Sequence, residues 1–418
     1  MRLPASLDVL HERNFARYLA AASISVLGSG MAMVALAFAV LEFGGATELG
    51  IVLLAREIPT VVFLLLGGVY ADRLPRRTIL IASDVLEGSA QIVTAILLFS
   101  GQANLWNIAL LQVAFGVAAA FSGPATTGLV RESVSDERLQ EANALLGLSK
   151  SVFFIAGPAI GALIVTLGSP AWAMAADSVT FFVSAMFIAS MRITSRVPLA
   201  STSIITDLRA GWREFVERSW AVAMIASFGL FQLTLFPALL VLGPIIAKEH
   251  LGGAGAWGAI LALQSVGAVA GGIYALRLKV RHPLVVSQLL VVPAGLLLLG
   301  LSIPLPLLAI AACSFAVGVG FALGNTLWIT TLQRNVPEHA LSRISSFDWF
   351  GSVALNPIGY ALIGPIAVAI GTSQTLVIAG ILNIVVCMSV LLVPSVRDIR
   401  MTNDENQRAS SRTFSGPM

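Results

Sequence analysis

The chain has 418 residues, of which 57% are hydrophobic and only 11% charged, with a formal net charge of +3. An average soluble domain carries about 25% charged residues, so a soluble globular protein of this length is excluded and lipid is the solvent for most of the chain. Lysine occurs only at Lys150, Lys248 and Lys279, never as Gly-Lys-Ser/Thr, and His11, His250, His282 and His339 match no zinc spacing, which excludes a Walker-type nucleotide loop and a zinc centre. Cys313 and Cys387 lie in apolar runs and imply no disulfide framework. The expectation is an all-α membrane protein that is not an enzyme, with no cofactor, no metal and no nucleic-acid partner.

In chain order, the apolar runs predict helices over residues 15–41, 50–71, 78–100, 105–130, 144–167, 171–191, 220–247, 256–276, 284–303, 307–332, 344–370 and 375–393. The first run is too long for a signal peptide and lacks a small-residue cleavage site, so it reads as a retained span. The segments between runs alternate in charge. One set holds Arg13 and Arg17; Arg73, Arg76 and Arg77; Arg131 and Arg138; Arg192 to Arg218; Arg277, Lys279 and Arg281; Arg334 and Arg343; and the tail. In the other set Lys248 is the only Lys or Arg. The positive-inside rule places the first set, with both termini, in the cytoplasm of a cell whose inner membrane the chain spans.

This division gives a cytoplasmic segment 1–14, a six-helix bundle 15–191, a cytoplasmic linker 192–219, a second six-helix bundle 220–395 and a polar, disordered cytoplasmic tail 396–418. Within the linker, 206–218 (TDLRAGWREFVER) puts Leu208, Trp212 and Phe215 on one helical face and charges on the other, the pattern of a helix lying on the membrane surface.

The chain also repeats itself. Residues 67–77 (GGVYADRLPRR) and 271–281 (GGIYALRLKVR) agree at seven of eleven positions, offset by 204. A weaker echo pairs 134–139 with 336–341. Two copies of a unit with an even number of spans keep one orientation, so the halves are parallel, the layout of transporters with a midplane site between halves.

The stretch Gly67-Gly68 to Asp72-Arg73 and Arg76-Arg77 resembles the loop 2–3 signature of the major facilitator superfamily, with Pro75 where a second glycine usually stands. Thr331-Leu332-Gln333, Pro337-Glu338, Leu341 and Arg343-Ile344 resemble the helix 10–11 segment of its drug:proton antiporter-3 branch, as does Asp177 with Phe181. That branch includes enterobactin-type siderophore exporters, macrolide efflux pumps and transmembrane secretion effector permeases. The resemblance implies the major facilitator fold, twelve transmembrane helices in two parallel six-helix repeats. It also implies a gating role for Gly68, Asp72, Arg73, Arg76 and Arg77, which latch the halves; Leu276 replaces the acid in the second copy. Gly157-Pro158 and Gly161 resemble the end of an antiporter signature, and Pro158 between glycines predicts a bend and tight packing. The arginine that often precedes the helix 4 glycine is here Gln112.

Charges within spans carry most of the functional information, because each costs about 3 kcal/mol or more at the bilayer centre unless it faces a cavity or a partner. Arg56 and Glu57 are adjacent, so about 100° apart, and at least one must point inward. Asp84 and Glu87 lie one turn apart; Asp84 is expected beside the loop 2–3 arginines and Asp348 beside an inner arginine. Asp177 is a lone acid among apolar residues and either exchanges a proton or hydrogen-bonds a neighbouring helix. Proton or substrate candidates are thus Asp177, Glu57, Arg56 and Glu87. Uncharged mid-span residues, Gln112, Gln232, Gln264, Asn325 and Trp328 with Gln91, Phe231 and Phe236, either line a substrate cavity or pack helices.

The reading is a monomeric secondary transporter that exports a small amphiphilic compound, a drug, antibiotic or siderophore-like metabolite, in exchange for protons by alternating access. Its partners are the substrate, protons and the lipid bilayer. Proton-coupled uptake of a small solute is the alternative, and a non-transporting sensor or scaffold a more distant one. The charge asymmetry makes a direct prediction. Reporter fusions after Gly101 and Lys248 should report the outside and one after Arg196 the cytoplasm; an external signal at Arg196 would sink the assignment.

Overall fold

The computed structural model describes residues 9–71, 75–135, 138–193, 212–213, 215–275, 277–278, 280–303 and 305–400, with backbone alone at 64–71, 124, 127, 338–343 and 345–346. The first half holds α1 (Arg13–Phe43), α2 (Ala46–Ala71), α3 (Arg76–Phe99), α4 (Leu105–Ser133), α5 (Leu139–Leu167) and α6 (Pro170–Ser190). The second holds α7 (Ser219–Leu251), α8 (Ala254–Ala275), α9 (Pro283–Ser302), α10 (Leu307–Asn335), α11 (Glu338–Val353, then Asn356–Ile370) and α12 (Thr372–Leu392), followed by a short α13 (Pro394–Asp398).

Among the described residues, eleven helices are long and apolar enough to cross a membrane. α2 carries Glu48, Arg56 and Glu57, and its side chains from 64 to 71 lie outside the described residues. Helices are the expected solution, since lipid offers no partner to an exposed backbone donor or acceptor. Turns between them use local chemistry. Asn104 caps α4 in a reciprocal box with Asn107. Gly252 and Gly253, with φ of 95° and 87°, close α7 in a backbone conformation that side chains with a Cβ resist.

Three departures from the predicted pattern have local causes. The helix predicted over 344–370 begins at Glu338 and breaks at 354–355, because Pro357 has no N–H for the Val353 carbonyl and its ring crowds that turn. α7 continues to Leu251 through two widened turns, Ala238–Leu242 and Ala247–Leu251. The predicted tail does not begin at 396: Val396 on α13 is fully buried in a cluster with Trp220, Leu284 and Val390. The linker's Leu208 lies outside the described residues, but Trp212 and Phe215 pack against Phe347 of α11, with ring centres 5.6 and 5.7 Å away.

Small residues set the helix spacing. A Cβ on Gly157 would sit 2.8 Å from the Gly30 Cα, and one on Gly161 2.6 Å from the Met31 Cα, so α5 lies backbone to backbone on α1. The segment expected to bend α5 and pack it tightly forms this packing face, and the helix runs on through Pro158.

The two halves meet at one end. Call the end where α1 begins and α12 finishes the near face, and the other the far face. Contacts between halves lie toward the far face. The site of a Gly258 Cβ is 2.2 Å from the Ala162 Cβ, joining α8 to α5. Gly50 faces the Tyr360 carbonyl, and Gly364 the backbone of Ala46 and Thr47, joining α2 to α11. Ser265 also donates to the Phe154 carbonyl at 3.2 Å. Gly157→Val should therefore lower the thermal midpoint in detergent, by an overpacking cost of about 1–3 kcal/mol, whereas Gly147→Ala, in open space on the same helix, should not lower it.

Candidate functional site

Two cavities open on the near-face side, one in each half. The larger, of about 500 Å³, lies in the second half and is mostly apolar. Phe228, Phe231 and Phe321 supply its aromatic wall, with Phe231 stacked on Phe228 at 5.7 Å and edge-on to Phe321 at 5.5 Å. Its polar groups are few. Trp328 donates its indole N–H to the Asp348 carboxylate at 3.0 Å, and Gln232 donates to the Ser352 carbonyl at 2.9 Å. Ser287, Gln288, Asn325 and Gln333 add to the polar lining. A broad apolar wall with a handful of fixed polar groups suits a bulky amphiphile.

The smaller cavity, of about 150 Å³, lies in the first half. It is lined by Asp84 and Glu87 of α3, Tyr18 of α1, Thr126 of α4, Lys150 of α5 and Ser184 of α6. Two acids one helical turn apart share a face, and hydroxyls from three other helices surround them. Behind them, Asp177 is fully buried. It is not alone: Gln91 donates to its carboxylate at 2.6 Å and Thr180 lies at 3.3 Å. Gly28 makes this possible, since a Cβ there would stand 2.4 Å from the Asp177 Oδ1. On α2 the Arg56 guanidinium sits 4.1 Å over the Phe115 ring, whose edge meets Phe181 of α6 at 5.7 Å. Glu57 beside it is half-buried.

Several expectations change. Asp348 accepts the Trp328 indole N–H, and the Arg343 side chain lies outside the described residues. Asp84 lines the small cavity with Ser184, while Arg76 pairs with Glu132 of α4 at 3.1 Å. Arg77 donates to the Ile188 and Ala189 carbonyls and Arg17 to that of Ser190, so both cap the end of α6, where the helix dipole favours cations. Within the described residues these arginines bind their own half. Asp72 and Arg73 lie outside the described residues, and Gly68 is described in backbone only, at the end of α2. Of the uncharged candidates, Gln232, Asn325 and Trp328 line the large cavity. Gln112 and Gln264 do not: Gln112 is enclosed with neither amide atom partnered, and Gln264 lies where α8 presses its carbonyl on Gly318. Gln91 serves Asp177 instead of a substrate.

The sequence reading passed over Tyr18, Lys150, Ser184, Gln288 and Phe321. Lys150 had a signal of its own, a lysine within a span. The hydroxyls and phenylalanines had none, because such residues are common in membrane helices that touch no substrate.

Two apposed helical bundles in a membrane, joined toward one face and hollow toward the other, define a transporter that alternates between two openings. The Major Facilitator Superfamily model matches residues 18–353, and the chain belongs to that family. It is a secondary transporter of small molecules across the membrane, not an enzyme. The multidrug efflux pump Tap of Mycolicibacterium fortuitum is 25% identical over 403 residues, covering 90% of this chain and 94% of that one. Macrolide efflux protein A of Streptococcus pyogenes is 21% identical, covering 90% and 94%. The fold is also that of the nucleoside transporter NupG, whose crystal structure superposes with a TM-score of 0.70 at 13% identity over 91% of this chain and 98% of that one. A bacterial homolog of the human lysosomal transporter Spinster, in an inward-facing and unoccupied conformation, gives 0.67 at 12% identity over 95% and 98%.

The Gln91–Asp177 bond is the most enclosed polar contact at the site, with both residues at most 2% exposed. Gln91→Leu should cost about 1–3 kcal/mol of stability, read as a lower thermal midpoint, and Asn at the same position should restore part of it.

Proposed function

We propose that this transporter is a twelve-span exporter of a small amphiphilic compound, driven by protons returning to the cytoplasm, in the drug:proton antiporter-3 branch. The reading rests chiefly on one arrangement: an aromatic cavity in one half and a buried acid cluster in the other, both on the near-face side of a molecule joined toward the far face. The aromatic cavity would take the apolar body of the compound. The acids would take the proton, Asp177 first and Glu57 second. Alternating access then exposes both in turn, and the chain works as a monomer.

With both termini and the 192–219 linker in the cytoplasm, the near face is the cytoplasmic face and this state faces inward. It is the state in which an exporter collects its cargo. The relatives named for multidrug and macrolide efflux, matched over nearly their full length, support export over uptake. A potential of ~100 mV supplies ~2.3 kcal/mol per charge moved, about a fifty-fold concentration ratio, so one proton per cycle suffices.

Everted membrane vesicles with an acidified interior provide the test, with ethidium as the amphiphilic probe. Ethidium should accumulate, and a protonophore should abolish accumulation. Asp177→Asn should stop gradient-driven uptake into the vesicles while exchange of bound probe continues. Accumulation that survives both the protonophore and the combined loss of Asp177 and Glu57 would overturn proton exchange through these residues.

A further inference from the structure

Lys248 stands apart in the charge pattern, as the one Lys or Arg in the connecting segments of the far face. A basic residue is unneeded there for topology, since the orienting excess lies on the other side. In the structure its ammonium donates to the Leu41 carbonyl at 2.6 Å. Leu41 lies in the last turn of α1, where carbonyls have no partner within the helix and the dipole presents partial negative charge. The bond therefore ties the end of α7, in the second half, to the end of α1, in the first.

The backbone is shaped to deliver it. The widened turn at Ala238–Leu242 adds a residue to one turn of α7 and so rotates everything after it by about 100°. A second widened turn, Ala247–Leu251, contains Lys248 itself. Gly252 and Gly253, both at positive φ, then turn the chain into α8, and the Gly253 N–H closes on the Ala247 carbonyl at 2.7 Å. The next two residues, Glu249 and His250, point to each other at 3.8 Å and, like Lys248, are exposed. The other far-face contacts between the halves described above are close backbone approaches at glycines and one hydrogen bond from Ser265, with no charge.

We infer that Lys248 is a gate residue of the far face, a cationic latch on the C-terminus of α1 that holds the two halves closed there and must release in every transport cycle. The inference needs only the family's alternation between two openings. It does not depend on the cargo, the coupling ion or the direction of transport.

Transient opening of the far face is read by alkylation of a buried cysteine there. Ile363, buried on α11 beside Gly50 of α2, is a suitable reporter position. Ile363→Cys, in a background with Cys313 and Cys387 replaced by Ala, is treated from the far face with a membrane-impermeant maleimide. Lys248→Met keeps the aliphatic stem and removes the donor. It should raise the alkylation rate roughly tenfold, the effect of losing one charge-assisted hydrogen bond that is partly exposed. Lys248→Arg should return the rate toward that of the parent, and Glu249→Gln and His250→Gln should leave it unchanged. Circular dichroism and size-exclusion profiles of each variant exclude unfolding as the source of any increase. An unchanged rate in Lys248→Met, or an equal increase in His250→Gln, overturns the latch. Failure of ethidium transport with the latch effect intact would instead count against the export reading alone.

Discussion

The structure depends on how closely backbones can approach where the two halves meet. At Gly258 against Ala162, Gly50 against Tyr360 and Gly364 against Thr47, a single added methyl would collide with its neighbour. Lipid tails are as apolar as the helices, so no hydrophobic drive holds the halves together, and van der Waals contact of close backbones, with a few hydrogen bonds, must supply the cohesion. Such contact is steeply distance-dependent and easily lost on a small tilt. A seal made this way can hold and still open, which a transporter requires. Because these contacts gather toward one face, the helices are free to diverge toward the other, where both cavities lie.

Polar groups are then distributed by half. The first half keeps its acids close to the walls: Asp177 is covered by Gln91, Thr180 and α1 at Gly28, and Asp84 and Glu87 share a small hydroxyl-lined cavity. The second half offers an aromatic hollow with one acid, Asp348, held by Trp328. A buried acid is tolerable in lipid only when such partners replace its water. The hydrogen bonds that steady Asp177 are also what would have to loosen if it is to trade a proton.

The near-face arginines of the first half show how one residue can answer several demands. Arg77 and Arg17 satisfy the carbonyls at the end of α6, and Arg76 meets Glu132, so each contributes positive charge to one face while stitching helices of its own half together. Topology and packing are served by the same side chains, and neither excludes a further task for the loop that begins at Asp72.

Hydropathy and charge in the sequence determined that the chain is a bundle of membrane helices, because lipid permits few other backbones. The in-span acids and the isolated Lys248 were legible for the same reason: a charge out of place in lipid is conspicuous. What each charge touches was decided only by tertiary structure. Gln91 and Asp177 are 86 positions apart, and Lys248 and Leu41 207. Nor could periodicity place Lys248, since a widened turn upstream resets the facing of every later residue on α7. Gln112 and Gln264 matched Gln232 as mid-span amides, yet Gln232 alone of the three lines the large cavity. Which face of a helix looks into the hollow depends on where its neighbours pack, and neighbours in three dimensions are not written in the order of the chain.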